Sequence, residues 1–268
     1  MGATDSSTFP ADTVTFAEYT DELAHRGKAS EGVRGMVLLG SASRAAAARR
    51  DEWSDHDFYA LFEPGRADDL RRRLPFLPSP ERIALVAREG AEGFAVLYHD
   101  GHLFEFGAGT TDEFGSARFD QHEILFADNK IVAWASEAAQ RGANFAPESA
   151  ADAAGLTLVK LMIGFGRATR GEVISGSMFV RAHAVTYLTL AIRQRIAPAA
   201  EDADADAFDP SRRFEVDYPE ISRRIGAALG APVVDAAREL LTILRGVLEP
   251  GWAEFPTAAA DIVAARFN

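Results

Sequence analysis

The chain has 268 residues, no cysteine and a formal net charge of −12. The length suits one large or two modest domains, and the charge argues against nucleic acid as a substrate. It would attract a cationic small molecule, although we interpret most of these charges as aiding solubility only. Without cysteine there is no disulfide, thiolate nucleophile or cysteine-bound zinc, which fits a reducing compartment. No apolar run approaches the ~18 residues of a membrane span, and no secretory signal pattern is present. We therefore expect a cytoplasmic protein with no membrane partner.

The first predicted elements lead to a short glycine turn. Helical spacing of apolar residues predicts an amphipathic helix over Phe16 to Arg26. Two short apolar runs, 36–39 and 58–62, are bounded by breakers and predict buried strands. Between them Gly40-Ser41 predicts a tight turn, and the Ala/Arg-rich segment 42–54 favours helix. A strand, a glycine turn and a helix start present free backbone N–H groups, which is typical of a phosphate site.

Two aspartates stand at the start of the second predicted strand. Asp55 and Asp57 are two positions apart, so on a strand both side chains point to the same face. Carboxylates this close repel each other unless a cation lies between them. Magnesium fits best, because it takes oxygen ligands and leaves coordination positions for phosphate. A phosphate turn beside such a site is the layout of metal-assisted phosphoryl or nucleotidyl transfer.

The segment from Gly40 to Phe62 resembles the signature of the nucleotidyltransferase fold. Gly40-Ser41 is followed by thirteen residues, 42–54, and then by Asp55-His56-Asp57 and an apolar strand. The run Asp51-Glu52-Trp53-Ser54-Asp55-His56-Asp57-Phe58-Tyr59 is most similar to the lincosamide and aminoglycoside adenylyltransferases, the antibiotic-resistance branch of that fold. Two departures stand out. Ser43-Arg44-Ala45-Ala46 replaces a segment that often holds another glycine, and His56 replaces a residue that is usually apolar.

The next segments predict further parts of a sheet. Ala67 to Leu74 is a short basic helix and Arg82 to Arg88 a strand. Asp100-Gly101 between two apolar runs is a strong hairpin signal, and a two-residue turn would set His99 opposite His102. The spacing of these histidines suggests a metal pair. Because no third ligand is near in sequence, we interpret them instead as two polar residues at an exposed turn.

Glu105 interrupts the otherwise apolar strand Leu103-Phe104-Glu105-Phe106, and the same hairpin register would set it opposite Val96. A lone carboxylate on a buried strand is costly unless it has a charged partner, and magnesium at Asp55 and Asp57 would be that partner. The resemblance implies the same, because a third carboxylate on a later strand usually completes the family's metal site. The alternative is that the hairpin is a sheet edge and Glu105 faces water. We favour the metal role.

The pattern changes near residue 145. Before it, Glu123 to Ala127 predicts a last strand and Asn129 to Arg141 a helix. After it only helices are predicted, over 148–169, 172–195, 218–229, 232–248 and 256–267. We expect an α/β (α+β) fold: a nucleotidyltransferase-type mixed sheet with flanking helices in a catalytic domain, 1–145, and an all-helical bundle in a substrate- and nucleotide-binding domain, 146–268.

The helical half contributes further candidate residues. Lys160 and Arg167 are seven positions apart, on one helix face, with Arg170 close by. They would meet a triphosphate or serve only as solvated surface charges. His183 and Tyr187 are four apart on an apolar helix. They would line an acceptor pocket or form a hydrogen-bonded core pair, and we consider the core pair the better interpretation.

The resemblance implies a mechanism with magnesium and a nucleoside triphosphate, ATP first. Asp55, Asp57 and Glu105 would hold one or two Mg²⁺ ions, and Glu105 would also be the base that activates an acceptor hydroxyl. The acceptor would be a lincosamide- or aminoglycoside-type antibiotic. The nucleotide-binding candidates are Gly40, Ser41, Arg44, Ser54, Lys160 and Arg170, and the substrate-binding candidates are His183 and Tyr187.

Two other functions remain open for a chain of this pattern. One is a protein-nucleotidylating enzyme of the toxin–antitoxin type, although those often have compact cores without a long helical half. The other is a non-catalytic member of the fold that binds a nucleotide or a partner, which the missing glycine and His56 would permit. The resemblance also allows a homodimer.

Overall fold

The computed structural model describes residues 14–144, 148–199 and 208–267. The chain divides into two compact units, residues 1–145 and 146–268. The first unit contains a mixed six-stranded sheet with helices, and the second is helical. No helix in the described residues is both long enough and apolar enough to cross a membrane.

The sheet of the first unit has one parallel strand pair in an otherwise antiparallel arrangement. Its strand order is β3-β4-β5-β2-β1-β6, and only β2 and β5 run parallel among the pairs described. The strands are β1 Val33–Leu39, β2 His56–Phe62, β3 Ile83–Glu89, β4 Gly93–Tyr98, β5 Leu103–Gly109 and β6 His122–Ala127. The helices of this unit are α1 Phe16–Ala29, α2 Ala67–Arg73 and α3 Asn129–Ala143. Each element predicted from the sequence in this unit is present, within a few residues, except the helix after the glycine turn.

Alternation along the strands divides the core of the first unit into two layers. On one face Phe58, Phe104 and Phe106 pack with side chains of α1 and α2. On the other face Val37 and Leu61 pack with side chains of α3. Because Asp57 and Glu105 alternate with these phenylalanines, they lie on the second face, the one that α3 covers in part.

The Ala/Arg-rich segment after β1 is not the predicted helix. It forms two short 3₁₀ segments, Gly40–Ala42 and Arg44–Arg49. Arg50 supplies the physical reason, because its guanidinium donates to the carbonyls of Ser41, Ala42 and Ser43 at 2.6 to 2.8 Å. An α-helix would need those carbonyls for N–H groups four residues further on.

The hairpin register predicted from Asp100-Gly101 is wrong by one residue. The Tyr98 N–H donates to the His102 carbonyl at 2.9 Å, so three residues form the loop. Glu105 consequently pairs with Ala95 rather than with Val96. Gly101 has a φ of +88°, which glycine adopts without steric cost, and its N–H closes a turn to the Tyr98 carbonyl. The Asp100 side chain turns into the protein and is fully buried, which a two-residue exposed turn does not allow.

The second unit consists of helices around one apolar core. The helix predicted over 172–195 is interrupted by a π-helical turn, Phe179–His183. Gly164 and Gly176 let two helices approach closely, because a Cβ on either would lie within 3 Å of the other's carbonyl oxygen. The helices are α4 Ala150–Thr169, α5 Val173–Met178, α6 Ala184–Arg195, α7 Phe214–Asp217, α8 Pro219–Gly230, α9 Val233–Leu248 and α10 Thr257–Phe267.

Candidate active site

Three carboxylates meet on the α3 side of the sheet. Asp55 directly precedes β2, Asp57 is its second residue, and Glu105 is the third residue of β5. The parallel register of β2 and β5 places Asp57 beside Glu105. One carboxylate oxygen from each of the three residues lies within 4.8 Å of the other two. Asp55 and Asp57 are half-buried and Glu105 is exposed.

The interpretation of Glu105 as a residue on a sheet edge is wrong. Strand β5 lies inside the sheet, with β4 on one side and β2 on the other. Its neighbours Phe104 and Phe106 point into the core, so alternation directs Glu105 to the opposite face, next to Asp57. The carboxylate reaches solvent from that face rather than from an unpaired strand.

The donor set of this trio suits magnesium. Three carboxylates within a few ångströms repel one another at neutral pH, and a divalent cation among them removes that cost. Mg²⁺ takes oxygen ligands and commonly binds through one or two carboxylates, keeping its other positions for water and phosphate. The half-buried and exposed positions of Asp55, Asp57 and Glu105 leave room for those further ligands.

His56, which separates the two aspartates, lies on the opposite face and is completely buried. Its Nδ1 is 2.6 Å from His102 Nε2, its Nε2 is 2.8 Å from Thr20 Oγ1, and its ring stacks on Phe16 at 3.7 Å. The Thr20 hydroxyl donates to the Phe16 carbonyl at 3.0 Å, so it accepts a hydrogen bond from His56 Nε2. His56 Nδ1 then accepts from His102 Nε2. This bond joins β2 to the residue that precedes β5, on the face of the sheet opposite the carboxylates.

Both histidines of this bond are held neutral. Burial, with smaller contributions from His102 and Arg50, lowers the pKa of His56 to about 2. Burial also lowers the pKa of His102, against the opposing influence of Asp100 and Asp55. The interpretation of His102 as an exposed turn residue is therefore wrong, whereas His99 is exposed as expected.

Because His56 and His102 are hydrogen-bonded to each other, we expect substitutions of the two residues to have non-additive effects on the free energy of unfolding. Replacing His102 by Phe should lower the free energy of unfolding by about 1–3 kcal/mol, because it leaves His56 Nδ1 buried without its donor. Adding His56→Leu should restore part of that loss, since Thr20 keeps its bond to the Phe16 carbonyl and no buried ring nitrogen remains. Urea unfolding of the two single variants and the double variant measures the coupling. Strictly additive losses would contradict this role of the bond.

The glycine turn differs from the expected open phosphate loop. Gly40 has a φ of +48°, and its N–H donates to the Gln121 carbonyl at 2.9 Å, so this donor is not free. The turn packs against β2, the strand that carries Asp57. Arg44 contacts Glu123 through its backbone N–H at 2.7 Å and its guanidinium at 2.6 Å. Ser54 exchanges hydrogen bonds with Asp51 in a local turn.

The helical unit brings several of its predicted residues to one face. The Lys160 ammonium lies 5.7 Å from the Phe179 ring and 5.9 Å from the Tyr187 ring. The rings of Phe179 and His183 are 5.2 Å apart, and the Arg167 guanidinium lies 4.3 Å from the Phe179 ring. Phe179 was not singled out from the sequence, although it stands four residues before His183 on the same helical face.

Two predictions about this unit need correction or qualification. His183 is exposed and Tyr187 half-buried, so the hydrogen-bonded core pair is wrong. Arg170 lies at the end of α4 and pairs with Glu172 at 3.1 Å on the surface. The structure thus places Lys160, Arg167 and His183 around the Phe179 ring, brings Tyr187 near Lys160, and leaves Arg170 with a local partner.

Comparison with known proteins finds similarity only among solved structures. No family model and no curated protein matches the chain. Among solved structures, the chain is similar to the crystal structure of an aminoglycoside 6-adenyltransferase from Bacillus subtilis. The alignment has 9% sequence identity and a TM-score of 0.29, and it covers 94% of this chain and 92% of that one. A TM-score this low has no weight for function, so the class of site rests on the carboxylate trio and the strands that position it.

Proposed function

We propose that the chain is a magnesium-dependent nucleotidyltransferase. It transfers a nucleoside monophosphate, AMP from ATP, to a hydroxyl of a small molecule of the lincosamide or aminoglycoside type: the hydroxyl oxygen bonds to the α-phosphorus and pyrophosphate leaves. The observation that supports this most directly is the meeting of Asp55, Asp57 and Glu105 within 4.8 Å on two parallel strands. Acidic trios of this kind serve reactions in which charge develops on phosphate oxygens.

In this proposal the first unit is the catalytic domain. Asp55, Asp57 and Glu105 would hold one or two Mg²⁺ ions, which would supply stabilisation of the negative charge that develops during phosphoryl transfer. Glu105 is the most exposed member of the trio, and it accepts the proton of the acceptor hydroxyl. The exposed face on which it lies gives an organic acceptor access to it.

Each unit carries residues that we assign to ligand binding. Gly40 and Ser41 lie in the turn packed against β2, and Ser54 directly precedes the first aspartate. The Arg44 guanidinium is 88% exposed despite its contact with Glu123, so it is accessible to phosphate, and the Glu123 carboxylate would still accept from the Arg44 N–H if the guanidinium turned away. In the helical unit, 146–268, Lys160 and Arg170 supply further positive charge, and His183 and Tyr187 contact the acceptor. The rings around Lys160 suit a planar ligand.

One assay separates this proposal from the two alternatives. The protein is incubated with α-labelled ATP, magnesium and a panel of lincosamides and aminoglycosides, with a chelator as the control. Label on a small molecule, lost with the chelator, is the expected result. Label on protein would instead support a protein-nucleotidylating enzyme. ATP binding without any transfer would support a non-catalytic member of the fold and would contradict the proposal.

A further inference from the structure

A cavity of about 570 Å³ lies at the end of the sheet where β2 and β5 begin. This volume is in the range of small-molecule sites. The residues that line it include two exposed carboxylates, one indole, one imidazole and two leucines: Asp51, Glu52, Trp53, His102, Leu97 and Leu103.

Two walls of the cavity come from segments that continue into the carboxylate trio. Leu103 stands two residues before Glu105 on β5, so both side chains lie on the same face of the sheet. Leu97 pairs with Leu103 in the register of β4 and β5 and shares that face. Trp53 is separated from Asp55 only by Ser54. The carboxylates of the trio are not among the lining residues, but two of the walls belong to segments that lead directly into the trio.

The sheet order places this cavity and the glycine turn on opposite sides of the trio. The turn follows β1, on one side of β2, whereas Leu103 and Leu97 belong to β5 and β4, on the other side. In-line transfer requires the attacking and leaving oxygens to stand on opposite sides of the phosphorus. If the leaving phosphates bind beside Gly40 and Ser41, the acceptor must approach from the β5 side. That is the side of the cavity.

We infer that this cavity is the acceptor subsite and that it selects a compact hydroxyl compound with one protonated amine beside an apolar group. The inference rests on the proposed nucleotidyl transfer and narrows its substrate class. Trp53 is 80% exposed, although an indole is among the side chains that gain most from burial. A ligand in the cavity would cover it, and the face of the ring attracts organic cations.

The other residues that line the cavity restrict the charge and the apolar character of the ligand further. Asp51 and Glu52 are exposed carboxylates, which repel a triphosphate and attract an amine. Leu97 is 38% exposed and faces the cavity with Leu103, so an apolar group is needed to cover this wall. A sugar that carries many amines would satisfy the carboxylates and leave the leucines in contact with water. A compound with one amine and an alkyl or aryl group satisfies both.

Binding is tested without turnover by fluorescence. Trp134 and Trp252 are only 6% and 8% exposed, so acrylamide quenches chiefly Trp53. Benzyltrimethylammonium should protect Trp53 from quenching, whereas benzenesulfonate, of similar size and opposite charge, should not. Leu97→Asn should weaken protection at least about fivefold. Leu85→Asn is the matched control, because Leu85 pairs with Leu97 on β3 and is exposed but does not line the cavity. Equal protection by both probes would overturn the inference.

The acceptor role is tested by transfer kinetics with lincomycin and kanamycin as acceptors. Trp53→Ala and Leu97→Asn should each raise the KM for lincomycin at least about fivefold, while the KM for ATP stays within about twofold. Trp53→Phe should retain most of the affinity. Transfer with an unchanged lincomycin KM in both variants would overturn the subsite and leave the transferase intact. Charge-selective protection without transfer to any acceptor would overturn the acceptor role together with the proposed function.

Discussion

Replacing Asp57 by Asn should reduce nucleotidyl transfer by a factor of about 10³ or more in a protein that remains folded. Asp57 is the central member of the trio, since it stands two residues after Asp55 in the chain and pairs with Glu105 across the parallel register of β2 and β5. An amide keeps the size of the side chain but removes the charge that a divalent ion requires. The transfer assay with labelled ATP and saturating magnesium measures the loss.

The same experiment needs a control for charge and a control for folding. Asp21→Asn changes the same functional group at an exposed position of α1, away from the trio, and should leave transfer unchanged. Cooperative unfolding of the Asp57 variant in urea shows that the fold is intact. Glu105→Gln, at an exposed position, should lower transfer by about 10²-fold or more through loss of a ligand and a base. Near-normal turnover of a folded Asp57→Asn protein would refute the metal site.

Replacing Asp100 by Ala should lower the free energy of unfolding by about 2–4 kcal/mol. The Asp100 side chain is fully buried and accepts hydrogen bonds from the Tyr19 hydroxyl at 2.9 Å and the His102 N–H at 3.2 Å. It also pairs with Arg82 at 3.3 Å. Truncation removes these acceptor oxygens at once and leaves buried donors behind. Urea unfolding at pH 7 measures the loss.

A surface ion pair provides the matched control for Asp100. Asp112 lies 3.2 Å from Lys130, almost the same distance, but the two side chains are 80% and 61% exposed. Asp112→Ala should therefore cost no more than about 0.5 kcal/mol. Similar losses for the two alanine variants would show that burial of Asp100 does not matter.

The Asp100 carboxylate should also make stability depend on acid. Burial alone would raise its pKa, but the hydrogen bonds from His102, Tyr19 and Val14 and the charge of Arg82 hold its pKa below the usual range. The unfolded chain therefore takes up this proton first as the pH falls below about 3.9. The difference in unfolding free energy between wild type and Asp100→Asn should be largest near neutrality and shrink below that pH. A difference in unfolding free energy that stays constant with pH would contradict this role of the Asp100 carboxylate.

The sequence predicted the elements and the carboxylates correctly where the spacing of apolar and charged residues within one segment determines the structure. Asp55, Asp57 and Glu105 could be found because a charged residue on an apolar strand is conspicuous and strand alternation fixes its direction. The elements of the sheet and the change to helices near residue 145 follow from periodicity for the same reason. The meeting of the three carboxylates, however, depends on β2 and β5 being parallel neighbours, which periodicity does not encode.

The features that were missed depend on single side chains with distant partners. Arg50 decides the conformation of the turn by taking its carbonyls, and Asp100 decides the hairpin register by entering the protein. His56 is accommodated only because Thr20 and His102, 36 and 46 positions away, approach its ring. Such contacts override helix propensity and turn preference, and composition gives no sign of them.

The parallel pairing of β2 and β5 has a consequence for how the protein is made. The bond from His56 to His102 closes a chain segment of 46 positions, at an entropy cost of about 3 kcal/mol for a flexible loop of that length. The intervening α2, β3 and β4 must leave the ribosome before this closure is possible. Until then Glu105 cannot pair with Asp57, so the three carboxylates come together only late in folding.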